Sequence, residues 1–152
     1  NTSRTTSDIE GIFEPKQLAY ELAREVASEV DFPLREDWLN DAVKTFNDAV
    51  KTFPFPKNRI DVAARVYYED AGLTVRVASP RYLFMMKALA AREADEDDLQ
   101  VLWSLCKWRS AQEAIDEIEA SYPGAILRPV TRYVVESIAE RNSQELWIDP
   151  IR

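Results

Sequence analysis

Residues 77–103 read VASPRYLFMMKALAAREADEDDLQVLW, and the way this stretch parses decides the fold. It begins as the tail of a strand, residues 73–78 (LTVRVA). Ser79 then offers an N-cap oxygen, and Pro80 falls at the first helical position, where a missing N–H costs nothing. From Tyr82 to Ala91 the pattern YLFMMKALAA is apolar almost all the way round, which predicts a helix buried on most of its faces. One charge, Lys87, stands in its middle. Arg92 and the acidic run Asp95, Glu96, Asp97 and Asp98 close the segment, and a second apolar helix follows at once. A lone cation in a buried helix needs an anionic partner. Two roles fit Lys87: a structural salt bridge to the acidic run just past the helix, or a contact to a bound phosphate. Spacing leaves both open.

Toward the C-terminus, residues 99–107 read as a short helix carrying Leu99, Leu102, Trp103 and Cys106. Ser110 and Glu113 form a capping box for the next helix, which ends near Tyr122-Pro123-Gly124. A last helix is expected over 128–141, with Val130, Val134, Val135 and Ile138 inward. In the tail SQELWIDPIR, Trp147 and Ile148 are suited to burial against a second copy.

Toward the N-terminus, residues 59–68 read as a strand, Glu69 to Gly72 as a turn, and 73–78 as the antiparallel partner. Residues 51–58 carry two prolines and read as a connector. A helix is expected over 36–46, with Trp38, Leu39, Ala42, Val43 and Phe46 on one side. Another is expected over 16–30, where Leu18, Leu22, Val26 and Val30 repeat every four residues as a buried stripe. Residues 8–13 read as a short strand. The class is α+β, a small mixed sheet covered by helices with a helical C-terminal half. No internal repeat, low-complexity tract or domain boundary is read from the chain. One domain is expected, sheet-bearing over 1–78 and helical over 79–152.

Composition narrows the chemistry. With 46% hydrophobic residues and four tryptophans among 152, the chain has the means to bury a core. It carries no apolar run near twenty residues and no signal-peptide pattern, so a soluble, cytoplasmic protein with no membrane partner is expected. The single cysteine, Cys106, lies among large apolar neighbours and reads as an inert core thiol. No histidine is present, which removes Ser-His and Cys-His pairs and histidine-ligated metals. The formal net charge of −8, without a Lys/Arg cluster, argues against an extended nucleic-acid surface. One small nucleotide held through a divalent cation remains compatible with it.

Asp8 and Glu10 flank Ile9, so strand alternation puts the two carboxylates on one face. Magnesium suits such a pair, taking a few carboxylate oxygens and filling its octahedron with water and phosphate. A solvated edge strand with two acids fits the triplet equally.

Two stretches taken together resemble a known family. Arg4-Thr5-Thr6-Ser7-Asp8-Ile9-Glu10 resembles the R-x-T-x-D-I-D signature of minimal nucleotidyltransferase-fold proteins, a bacterial group that includes the toxins of AbiE-type toxin–antitoxin systems. Ser79-Pro80, then Lys87, Ala90, Ala91, Arg92, Asp95, Asp98 and Leu99, resemble its later S-P-x-x-L, K-x-x-A-x-R and D-x-x-D-L pattern. The fillers at 13–16 and 37–46 also resemble one branch. The resemblance spans roughly residues 4 to 135. It implies a nucleotidyltransferase-like fold and magnesium-dependent nucleotidyl transfer as ancestral chemistry, in a toxin–antitoxin or mobile-element setting. Asp8 and Glu10 would bind the metal, with Asp61 as the third carboxylate. Arg4 and Thr6 would sit at the nucleotide, and Lys87 and Asp98 would assist phosphate binding or proton transfer. A homodimer or an antitoxin is the implied partner.

The departures are specific. The glycines are Gly11, Gly72 and Gly124, and none precedes the acids, where the family has a glycine turn whose N–H groups grip phosphate. Glu10 replaces the usual aspartate. The chain is therefore expected to lack the first strand and that turn, and to be inactive by itself. The alternative function is a non-catalytic interaction or oligomerisation module that retains the fold.

Overall fold

The computed structural model describes residues 8–40, 61–122 and 127–145. The chain divides into two compact units, residues 1–54 and 55–152. The class is α+β: five α-helices and two small two-stranded sheets among the described residues, with the C-terminal half helical. The strands do not merge into one mixed sheet. One pair is parallel and the other antiparallel, one in each unit.

In the first unit, β1 (Ile9–Glu10) pairs in parallel with β2 (Leu39–Asn40). Between them runs α1 (Lys16–Glu29). Residues 36–40 were expected to open a helix. They form a turn and β2 instead, because the backbone of Trp38 and Asn40 serves β1: Ile9 N–H donates to Trp38 O at 2.6 Å and Gly11 N–H to Asn40 O at 2.9 Å. The rest of that expected helix, and the connector 51–58, lie outside the described residues.

α1 occupies its expected span but turns the other way. Leu18, Leu22 and Val26, expected inward, are 49%, 51% and 41% exposed, whereas Ala23 is 6% exposed and Ala19 and Ala27 are half-buried. The reason is Trp38. Its indole N–H donates to the Ala23 carbonyl at 3.0 Å. An indole reaches a mid-helix carbonyl only across a row of small side chains, and the alanines at 19, 23 and 27 supply that row on one face.

The second unit opens with a hairpin. Asp61–Ala64 is a turn, so the strand expected from Arg59 is delayed to β3 (Arg65–Asp70), which meets β4 (Leu73–Val77) through Ala71-Gly72. A bulge lies between Val66 and Tyr68.

Four helices follow. Their labels are α2 (Pro80–Ala90), α3 (Glu96–Cys106), α4 (Ala111–Ser121) and α5 (Pro129–Glu145), with a 3₁₀ turn at Glu93–Asp95. α5 packs against the other three, and α2 packs on α3. Both expected caps form: Ser79 Oγ accepts from Tyr82 N–H and Ser110 Oγ from Glu113 N–H, each at 3.2 Å. The reciprocal carboxylate of the second box reaches one residue further out, to Arg109 N–H at 3.0 Å. On α5, Val135 and Ile138 are buried as expected, but Val130 is 43% exposed and Thr131 takes the inward place.

The core of this unit is aromatic at its centre. Phe84 is fully buried, its ring centroid 5.7 Å from that of Trp103 and 4.9 Å from that of Trp108, in tilted and edge-on arrangements. Leu99, Ile115, Ile118, Val135 and Ile138 are also buried, at 2% exposure or less. Among the described residues, no helix is long and apolar enough to cross a membrane.

Contrary to expectation, the chain carries an internal repeat. The heptad NDAVKTF at residues 40–46 recurs residue for residue at 47–53. Beyond Asn40 it lies outside the described residues.

Candidate functional site

Lys87 sits in the last turn of α2, where a cation complements the partial negative charge of the helix end. The chain then reverses at Ala91, in the left-handed conformation (φ 50°, ψ 46°), with its N–H bonded to Lys87 O at 2.9 Å. That reversal brings the acidic run back beneath the lysine. Nζ of Lys87 lies 2.5 Å from Asp95 Oδ1 and 3.0 Å from Asp98 Oδ2. Glu96, Asp97 and Asp98 occupy the first turn of α3, whose positive end favours carboxylates. Two helix ends of opposite polarity thus meet, each faced by side-chain charge of the sign it favours.

Burial opposes the charge on Lys87. Hydrogen bonding to Asp95 and Asp98, with their Coulomb attraction, outweighs it and holds the ammonium above its ordinary value. A lysine in this state stays cationic at neutral pH, so it is a fixed positive charge and not a proton acceptor.

Asp61 is engaged at the opposite end of α2. Its Oδ2 accepts Ser79 N–H at 2.6 Å, and its Oδ1 accepts Ser79 Oγ–H and Ala63 N–H, both at 3.1 Å. Ser79 in turn caps Tyr82, so one carboxylate ties the turn before the hairpin to the start of α2.

Asp8 and Glu10 lie at β1. Asp8 is half-buried and Glu10 exposed, and Asp8 Oδ2 accepts the Asn40 side-chain amide at 3.0 Å. Arg4 and Thr6 lie outside the described residues. Among the described residues, no group of three or more Asp, Glu or Cys side chains is gathered closely enough to hold a metal ion.

A further polar cluster escaped the sequence. Arg81 Nη1 donates to Glu117 Oε2 at 2.6 Å, and the Trp108 indole N–H donates to the same oxygen at 2.7 Å. Arg81 Nε donates to Cys106 O at 3.1 Å, and the guanidinium lies 5.3 Å from the centre of the Trp108 ring. The partners are 36 residues apart in sequence, so no local spacing announces them. Burial pushes the neighbouring Cys106 thiol up to about 12. It remains a thiol at neutral pH, as its apolar context implies.

Comparison of the chain with protein-family models, curated proteins and solved structures finds no match.

Proposed function

We propose that this chain is a non-catalytic interaction module of nucleotidyltransferase-like ancestry. One observation carries the reading: in residues 55–152, every ionic group assigned to chemistry by resemblance is held by the fold's own hydrogen bonds. Lys87 is bracketed by Asp95 and Asp98, and both oxygens of Asp61 serve residues 63 and 79. A lysine that binds a triphosphate must exchange its partners for the ligand. Here that exchange leaves two adjacent carboxylates without their cation, a large penalty in a half-buried site. A magnesium ligand must likewise give up its N–H donors. The partner of such a module is a protein, an antitoxin or a second copy in the setting the resemblance implies.

The second reading is nucleotidyl transfer. Asp8 and Glu10 would hold Mg²⁺, Asp61 would complete the carboxylate set, Arg4 and Thr6 would meet the nucleotide, and Lys87 and Asp98 would serve the phosphates. The Asp8-Ile9-Glu10 triplet, whose carboxylates strand alternation would put on one face, favours it. The decisive experiment incubates the protein with each labelled nucleoside triphosphate, magnesium, and a mixed RNA and protein acceptor pool. No label transfer is expected. Transfer that disappears in Asp8→Asn overturns the interaction-module reading and establishes the enzyme.

A further inference from the structure

We infer that the outward stripe of α1 is a docking surface for a basic amphipathic helix of another protein. This inference rests on the interaction-module reading and names where the partner binds. Because the alanine row faces Trp38, Leu18, Leu22 and Val26 are left as an exposed ridge of i, i+4 neighbours. Such a ridge fits the groove of a second helix, where i±4n rows interdigitate. It extends over about 12 Å, two to three helical turns of a partner.

The rim says what kind of helix. Glu21, Glu25 and Glu29 each follow a stripe residue by three positions, so they run along one flank of the ridge and are all exposed. Glu21 accepts the Gln17 amide at 3.1 Å. Among the described residues, neither Glu25 nor Glu29 carries an ion pair. An apolar ridge with an acidic flank is complementary to an apolar stripe flanked by lysine or arginine. A second copy is disfavoured on the same ground: a two-fold axis repeats the same patch, and the chain already carries a net charge of −8.

The test uses the full chain and three labelled synthetic helices, read by fluorescence anisotropy. One has a leucine stripe rimmed by lysines, one the same stripe rimmed by glutamates, and one the same lysines with serines replacing the leucines. The lysine-rimmed leucine helix is expected to bind at least tenfold tighter than either control, with affinity falling as salt rises. Leu22→Asp is expected to weaken it by about tenfold or more. The triple variant Glu21→Lys, Glu25→Lys, Glu29→Lys is expected to prefer the glutamate-rimmed helix.

Equal binding of all three helices, or of none, overturns the proposal. A dimer that Leu22→Asp converts to monomer assigns the ridge to a second copy and also overturns it. So does a fall in thermal midpoint for Leu22→Ala as large as that for Phe84→Ala, which assigns the ridge to the chain's own residues. Label transfer by the wild type overturns the underlying reading whatever the helices do. Absence of helix binding without label transfer removes this surface alone.

Discussion

The two units use helices in opposite ways. α2 buries Phe84, Met85, Ala88 and Leu89, and its neighbours surround it with large apolar side chains. α1 buries Ala23 alone and keeps its leucines outside. Burial of apolar area stabilises by about 25 cal/mol per Å², so an aromatic core holds α2 far more firmly than an alanine face holds α1. The contrast teaches that hydrophobic periodicity identifies a helix and its amphipathic axis, but not which side meets the rest of the protein. A side-chain hydrogen bond accompanies that choice for α1: the Trp38 indole donates to the Ala23 carbonyl across the alanine face.

The sharpest way to break this comparison is truncation on each side of it. Phe84→Ala removes a fully buried ring that touches two tryptophans and is expected to cost about 3–5 kcal/mol. Leu22→Ala is expected to cost well under about 1 kcal/mol, since the side chain is 51% exposed. Urea unfolding of both variants checks the pair; similar losses would show that α1 is as deeply packed as α2.

Lys87→Met sharpens the polar side of the same unit. It leaves Asp95 and Asp98 without their shared cation and is expected to cost about 2 kcal/mol, below the 3–5 kcal/mol of fully buried pairs because solvent reaches this one. The pH dependence has a definite sign. The native pKa of Lys87 is raised, so its contribution is fully present below the ordinary lysine value of 10.5 and is lost as pH rises through the native value. The gap between wild type and Lys87→Met is therefore expected to be constant from neutral to mildly alkaline pH and to close above it. A gap that closes near neutrality would mean another group is responsible.

The smallest effect concerns Ala91. An L-residue in the left-handed region costs about 1–2 kcal/mol relative to the right-handed helix, and glycine avoids most of that. Ala91→Gly is expected to raise stability by about 0.5–1 kcal/mol, visible as a rise in thermal midpoint.

These comparisons also show what was legible in the chain. The caps at Ser79 and Ser110 were legible because each acts within three residues of itself, and so was the pairing of Lys87 with its own acidic run. β2 was not: it spans two residues, and the helical spacing of its apolar side chains masked a backbone committed to β1. Neither was the Arg81–Glu117–Trp108 cluster, which joins the start of α2, the segment just after α3 and the middle of α4. Asp61 was singled out as an acid and is indeed engaged, but a carboxylate that anchors a capping serine and one that binds a metal look alike in a sequence. The repeat at 40–53 needed no physics at all, only a self-comparison.

Arg128 gives the second unit a property not evident from its core. Its guanidinium donates to the Leu89 carbonyl at 2.6 Å, closing the last turn of α2 from 39 residues downstream. The residue that finishes the first helix of this unit thus stands just before the last one. Any chain cut after Ser121 keeps α2, α3 and α4 in sequence but loses both the arginine that terminates α2 and the helix that touches all three. A chain cut there is therefore expected to lose stability at the end of α2 that Arg128 closes.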